Sequence, residues 1–349
     1  MEDSILRLSN NGKILRGVND RNLKSIVVPN SVIKIEHEAF SGCTVLRSVI
    51  IPNSVTSIGH SAFKDCISIQ SINIPNSVTS IGDAAFFGCT ALHSVIIPNS
   101  VITIGNSAFA LCTALQTINI PNSVRSIGNG AFYGCNALQS IVIPESVTYI
   151  GESVFFRCTA LKSIDILSPI TSIEYEAFYC CESLTDFKIP SSVTSIGYRA
   201  FFGCCSIGHL DMPNSISKIG ECAFEGCIAL QSINISNSLC SIAKEAFKEC
   251  TALKNITMPN SVKIIDKDAF WGCKALQTID FNNVTTIGER AFEGCIALET
   301  ILIPKSVSTI GHGAFAFCST LRTVLISNVD TNIDDDVFYG CNLLGKDLL

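Results

Sequence analysis

Several features that carry chemistry in other proteins are missing from this chain. It has no run of Lys and Arg, and its formal net charge is -6. Phosphate binding needs clustered cations, so a nucleic-acid partner is not expected. No apolar stretch approaches the roughly 18 residues of a membrane span. The opening Met1-Glu2-Asp3-Ser4-Ile5-Leu6-Arg7 has no apolar segment of signal-peptide length. The closing Gly345-Lys346-Asp347-Leu348-Leu349 holds neither a prenylation box nor an anchor tail. His-Glu-x-x-His, a nucleophile elbow and a Walker loop are absent. The 18 cysteines never fall into the C-x-x-C spacing that signals zinc. No catalytic residue, metal ligand or cofactor is nominated, and an enzyme is not expected. Charge is scarce as well, 15% of residues against 47% hydrophobic, so much of the chain lies inside.

What the chain does have is repetition. A Phe returns every 23 residues from Phe40 to Phe270, and then at Phe292, Phe315 and Phe338, fourteen in all. Each is followed three residues later by a Cys, from Cys43 to Cys341. A clean unit reads Leu92-His93-Ser94-Val95-Ile96-Ile97-Pro98-Asn99-Ser100-Val101, then Ile104-Gly105, Ala108-Phe109 and Cys112. The one short step, 22 residues, falls where Phe281-Asn282-Asn283-Val284 replaces a unit such as Ile74-Pro75-Asn76-Ser77-Val78.

Spacing converts this unit into a coil. Leu46, Val49 and Ile51 follow the L-x-x-L-x-L pattern of leucine-rich repeats. Val49 and Ile51 are two apart and share the inward face of a strand, leaving Ser48 and Ile50 outward. Pro52 suits the strand's end. Val55 to Ile58 reads as a second short extended segment or a turn, and Gly59 as a corner. Ala62-Phe63 with Cys66 fits one helical or 3-10 turn. One coil cannot bury its own inward side chains; stacked coils turn each position into a continuous column. The reading is a leucine-rich-repeat solenoid with one long parallel sheet face and short helical, 3-10 or turn segments opposite. Residues 1–22 form a β-hairpin cap around Asn10-Asn11-Gly12, 23–344 the array of fourteen repeats, and 345–349 a tail. Cys341-Asn342-Leu343-Leu344 stops where the next strand would begin, with no capping device.

The string Ile51-Pro52-Asn53-Ser54-Val55-Thr56-Ser57-Ile58-Gly59, with Ala62-Phe63 and Cys66, resembles the BspA-like family of treponemal-type leucine-rich repeats. The resemblance covers about residues 23–344. It implies a right-handed solenoid, protein–protein interaction and, in many members, adhesion at the cell surface. It brings no family-wide catalytic residues. The thiol column and the missing leader favour a reducing, cytoplasmic compartment; the resemblance favours the surface.

Fourteen of the cysteines sit on one repeated position beside an inward Phe, which reads as a column of buried thiols. Cys180, Cys205, Cys222 and Cys240 are extras, and Cys180–Cys181 and Cys204–Cys205 are vicinal pairs. His37, His60, His93, His209 and His312 each fall on a different coil and read as solvated residues. Asp330, Asp334, Asp335 and Asp336 form an acidic run without calcium-loop spacing.

The outward strand positions carry the most information. The first column is almost all Ser and Thr, broken by Asp186 and His209. The second is apolar toward both ends and charged in the middle. Asp165, Asp186, Lys188, His209 and Asp211 therefore form one candidate partner-binding patch, and Ile50, Ile96 and Val142 a second. The expected partner is a protein held on the strand face. The alternative is a homodimer through the bare C-terminal end.

Overall fold

Alternation sets the strands. In Ser48-Val49-Ile50 the middle residue is buried and both neighbours are exposed, as a period of two requires when one face meets the core. Ser57–Ile58 then forms a second strand of two residues. A computed structural model of the chain describes residues 5–345; Met1–Ser4, and the expected tail beyond Gly345, lie outside the described residues. The chain divides into two compact units, Met1–Ile170 and Thr171–Leu349, each a β-solenoid of such coils.

In the first unit Leu6–Leu8 pairs antiparallel with Ile14–Val18. Asn11 Oδ1 accepts from the Lys13 amide at 3.2 Å and from Ser9 Oγ at 2.6 Å. Gly12 takes a left-handed φ of 67°, which explains the Asn-Gly pair. Ile14 and Leu15 pair parallel with Lys34 and Ile35, so the hairpin leads directly into the coils. Two parallel ladders follow at an offset of 23 residues. The longer strands set Val27 beside Ile50; the shorter run from Lys34–Ile35 to Tyr149–Ile150. The shorter ladder realises the second extended segment offered as one alternative for Val55 to Ile58. It arises because Val55 and Ile58 both turn inward and hold the backbone between them extended.

The Phe segment is a chain of tight turns, and no α- or 3-10 helix occurs among the described residues. Glu38 and Gly42 have φ of 54° and 71°, and L-residues do not continue a helix through left-handed positions. Amides alternate in direction. Those of Ala39, Ser41 and Cys43 bond back three residues, while those of Glu38, Phe40 and Gly42 donate to the carbonyls of His60, Ala62 and Lys64 on the next coil. The turns thus make a third hydrogen-bonded ladder.

Inside that ladder the rings from Phe40 to Phe155 stack with centroids 5.0 to 5.9 Å apart. Cys66 Sγ donates to the Phe40 carbonyl at 3.1 Å, and Cys89, Cys112, Cys135 and Cys158 repeat the bond. The Phe40 carbonyl also accepts from the Cys43 amide, so both its lone pairs are used. At Gly82 an added Cβ would sit 2.7 Å from the carbonyl carbon of Gly59 and the nitrogen of His60. The neighbouring backbone, rather than a left-handed φ, therefore demands glycine at that corner.

The second unit repeats the plan. Its short strands run from Ser172–Ile173 to Lys218–Ile219 and from Ser241–Ile242 to Asn332–Ile333. Its Phe column extends from Phe178 to Phe338. The short repeat is absorbed by Phe281, which is buried and set edge-on to Phe292 at 5.7 Å. Asn282 turns the chain back at φ 44° and donates from Nδ2 to the Met258 carbonyl at 2.5 Å.

Candidate interaction surface

Because each longer strand buries only alternate residues, the outward positions form two exposed columns on each unit. On the first unit Ile50, Ile96 and Val142 are all exposed, Ile96 to 71%. They do not touch in register. Ile96 lies between Asn73 and Asn119, and Val142 lies beside Asp165. Ile50 instead pairs with Val27, which is 64% exposed and was not nominated from sequence. The face is an alternation of aliphatic and amide groups ending in Asp165.

On the second unit Asp186, Lys188, His209 and Asp211 are exposed. The structure joins two of them: His209 Nε2 lies 3.2 Å from Asp211 Oδ1. His209 Nδ1 contacts Ser232 Oγ at 2.7 Å, and Asn234 Nδ2 donates to Asp211. The bond from Asn234, then that from His209, holds the Asp211 carboxyl below its ordinary value. Among the described residues neither Asp186 nor Lys188 makes an ion pair. Beyond Asn234 the face becomes a shallow amide-rich depression lined by Asn237, Asn255, Thr257, Asn260 and Asn282. Leu302 and Leu325, in register and both exposed, make an apolar pair further along. The outward columns contained both leucines, but only the register shows that they meet.

Ser232, His209 and Asp211 stand in the order of nucleophile, base and orienting carboxylate. All three are exposed, on a strand face whose parallel pairing runs straight through His209–Asp211 and Ser232–Asn234. An open face of this kind neither excludes water nor offers an enclosed oxyanion site.

On the turns of the second unit, ligand atoms of Cys222, Glu225 and Glu245 lie within 4.8 Å of one another. The carboxylates already have cations. Lys248 Nζ is 3.1 Å from Glu225 and 4.0 Å from Glu245, and Lys244 is 3.7 Å from Glu245. Burial first, and then the bonds to Glu245 and Glu225, push the Cys222 thiol up to about 12, against the thiolate that a metal needs. The arrangement reads as an ion-pair ladder. In the vicinal pairs Cys181 and Cys204 face the core, while Cys180 and Cys205 are half-buried. His37 and His60 stack at 4.7 Å on adjacent coils, both exposed. Among the described residues no helix is long and apolar enough to cross a membrane.

The family model described as BspA type leucine rich repeat region matches residues 18–137, 102–231 and 218–345. A leucine-rich repeat protein from Bacteroides ovatus is similar in structure, with a TM-score of 0.73 at 30% identity, over 93% of this chain and 78% of its own. A leucine rich cell surface protein from Faecalibacterium prausnitzii is similar with a TM-score of 0.56 at 29% identity, over 94% of each chain. No curated protein matches the sequence.

Proposed function

The chain belongs to the BspA-type leucine-rich-repeat family and is a repeat-protein scaffold; from that premise we propose that it is non-catalytic and binds a protein partner on its exposed longer strands. One observation carries the reading. The outward columns place Val27, Ile50, Ile96, Val142, Leu302 and Leu325 in water, where the neighbouring Ser and Thr would be cheaper to solvate. The backbone beneath is fixed by ladders, so little ordering entropy is lost on binding. Charged and hydrogen-bonding groups add direction on each unit, Asp165 on the first and Asp186, Lys188, His209 and Asp211 on the second.

The family and the likeness to a protein named for the cell surface support an adhesin role as the finer form of this proposal. Purified extracellular-matrix proteins are the probes. The paired variants Ile50→Lys with Ile96→Lys, and Lys188→Glu with Asp211→Lys, are compared with a turn-face control, Glu249→Lys. Loss of a matrix interaction in the strand variants alone supports the reading. Equal binding by all of them refutes it. Protease shaving of intact expressing cells, with a cytosolic control, tests the location.

A further inference from the structure

Along the turns of the second unit, two adjacent columns carry large side chains. One runs Cys222, Glu245, Asp268, Arg290; the other runs Glu225, Lys248, Trp271, Glu293. On the next coil both collapse, to Gly313 and Ala316. The result is a notch of about 170 Å³ lined by Arg290, Glu293, His312, Ala316, Phe317, Asp336 and Tyr339.

The rim carries an exposed aromatic pair. Phe317 occupies a position that is left-handed in all fourteen coils, glycine in eight of them and Asp65, Leu111, Arg157, Cys180 and Glu249 in five; Phe317, at φ 59°, is its one aromatic residue. Phe317 is 50% exposed. Its ring meets Tyr339, 60% exposed, edge to face at 5.4 Å. An exposed aromatic pair beside an open notch marks a contact site.

The charges select the occupant. Arg290 lines the notch but is already neutralised, with Nε 2.7 Å from Glu293 and 3.5 Å from Asp268. Asp336 is exposed and, among the described residues, makes no ion pair, and Asp334 and Asp335 stand beside it. Of the carboxylates and the guanidinium that line the notch, Asp336 alone has no ion-pair partner among the described residues, so the uncompensated charge of that set is negative; His312 is the other titratable group on the rim. We propose that this notch receives a Lys or Arg side chain from a basic segment of a partner protein. The aliphatic stem packs on Ala316 and the two rings, and the cationic head meets Asp336 and the face of Tyr339. The site is on the turns, so its failure and that of the strand-face reading are separable.

The test uses the full chain and a fluorescent, capped Gly-Ser peptide carrying two lysines, read by anisotropy at physiological ionic strength. The same peptide with norleucine serves as the uncharged comparison. The lysine peptide is expected to bind about tenfold more tightly than the norleucine peptide, and Tyr339→Ala and Asp336→Asn each to weaken it about fivefold. Ala316→Leu, which fills the floor, abolishes binding, and the distant Glu145→Gln leaves it unchanged. If Ala316→Leu does not keep its circular-dichroism signature, the exposed Asp336→Asn decides. Equal binding of the norleucine peptide, unchanged binding in Tyr339→Ala and Asp336→Asn, or no binding of the lysine peptide at millimolar concentration would overturn the proposal.

Discussion

Phe201→Ala is the most direct probe of what holds the second unit together. The ring is fully buried. It stacks on Phe178 at 5.3 Å and on Phe224 at 5.2 Å, and it meets Phe187 edge-on at 5.0 Å. Removing a buried Phe side chain costs about 3–5 kcal/mol through lost transfer energy and an unfilled cavity. Three aromatic contacts, each worth about 0.5–1.5 kcal/mol beyond area, overlap with that sum and push the value toward its upper end. The neighbouring rings cannot close the gap, because each is fixed by amide bonds to the next coil: the Phe178 amide donates to Ala200 and that of Phe224 to Ala246. The loss falls on both interfaces of one coil, so it is read as a fall in the urea midpoint at constant slope. The substitution also carries a local signature. Cys227 Sγ donates to the Phe201 carbonyl at 3.2 Å, so its labelling by a thiol reagent should accelerate more than that of Cys318, several coils away. A cost under about 1 kcal/mol, far below the range for a buried ring, with no change at Cys227, would mean that the Phe column does not carry the packing assigned to it.

Further outcomes follow from the same geometry. Stability should fall as pH rises above the ordinary thiol value of 9.0, because burial pushes Cys89 and Cys158 up to about 12. Between those values the unfolded chain releases protons that the folded chain retains, and urea midpoints at several alkaline pH values check this against a Cys89→Ala, Cys158→Ala variant, which should lose less. Glu249→Gly should stabilise by about 0.5–1 kcal/mol, since Glu249 is exposed at φ 58° and glycine removes the left-handed strain; a destabilised variant would contradict that account. The Asp211 carboxyl should titrate below the usual range by NMR and move back toward it in Asn234→Ala, because the Asn234 bond is the leading cause. A fluorophosphonate probe should leave Ser232 unlabelled, and stoichiometric labelling lost in His209→Ala would reverse the non-catalytic reading.

The columns were legible because position modulo 23 fixes both burial and neighbour in a stacked coil. Val49, Ile51, Phe63 and Cys66 could be placed inside from spacing alone, and all are buried. The turns were not legible in the same way. Their left-handed positions hold Glu38, Ser61, Ala84 and Arg199, residues that signal no such conformation, since three interlocking ladders override local preference. The Ser54 hydroxyl bond to the Val32 carbonyl at 2.6 Å was hidden for a related reason: a Ser in a turn reads as solvated until the preceding coil supplies an acceptor.

The candidate sites divide along the same line. Outward columns could be listed from sequence, but adjacency along a column depends on every coil between two residues, and the Asn residues at 73 and 119 separate Ile96 from its intended companions. In an array this uniform, an exposed residue that agrees with its column says nothing about a ligand, because the repeat already explains it. Information about partners is concentrated where a coil departs from its column without a packing return. Cys222 departs and is absorbed by an ion-pair ladder. Phe281 departs and fills the space of a missing residue. Phe317, with Gly313 and Ala316 beneath it, sets an aromatic ring against Tyr339 at the rim of a notch and stays half exposed, which is why a contact site is proposed there and not at the better-packed irregularities.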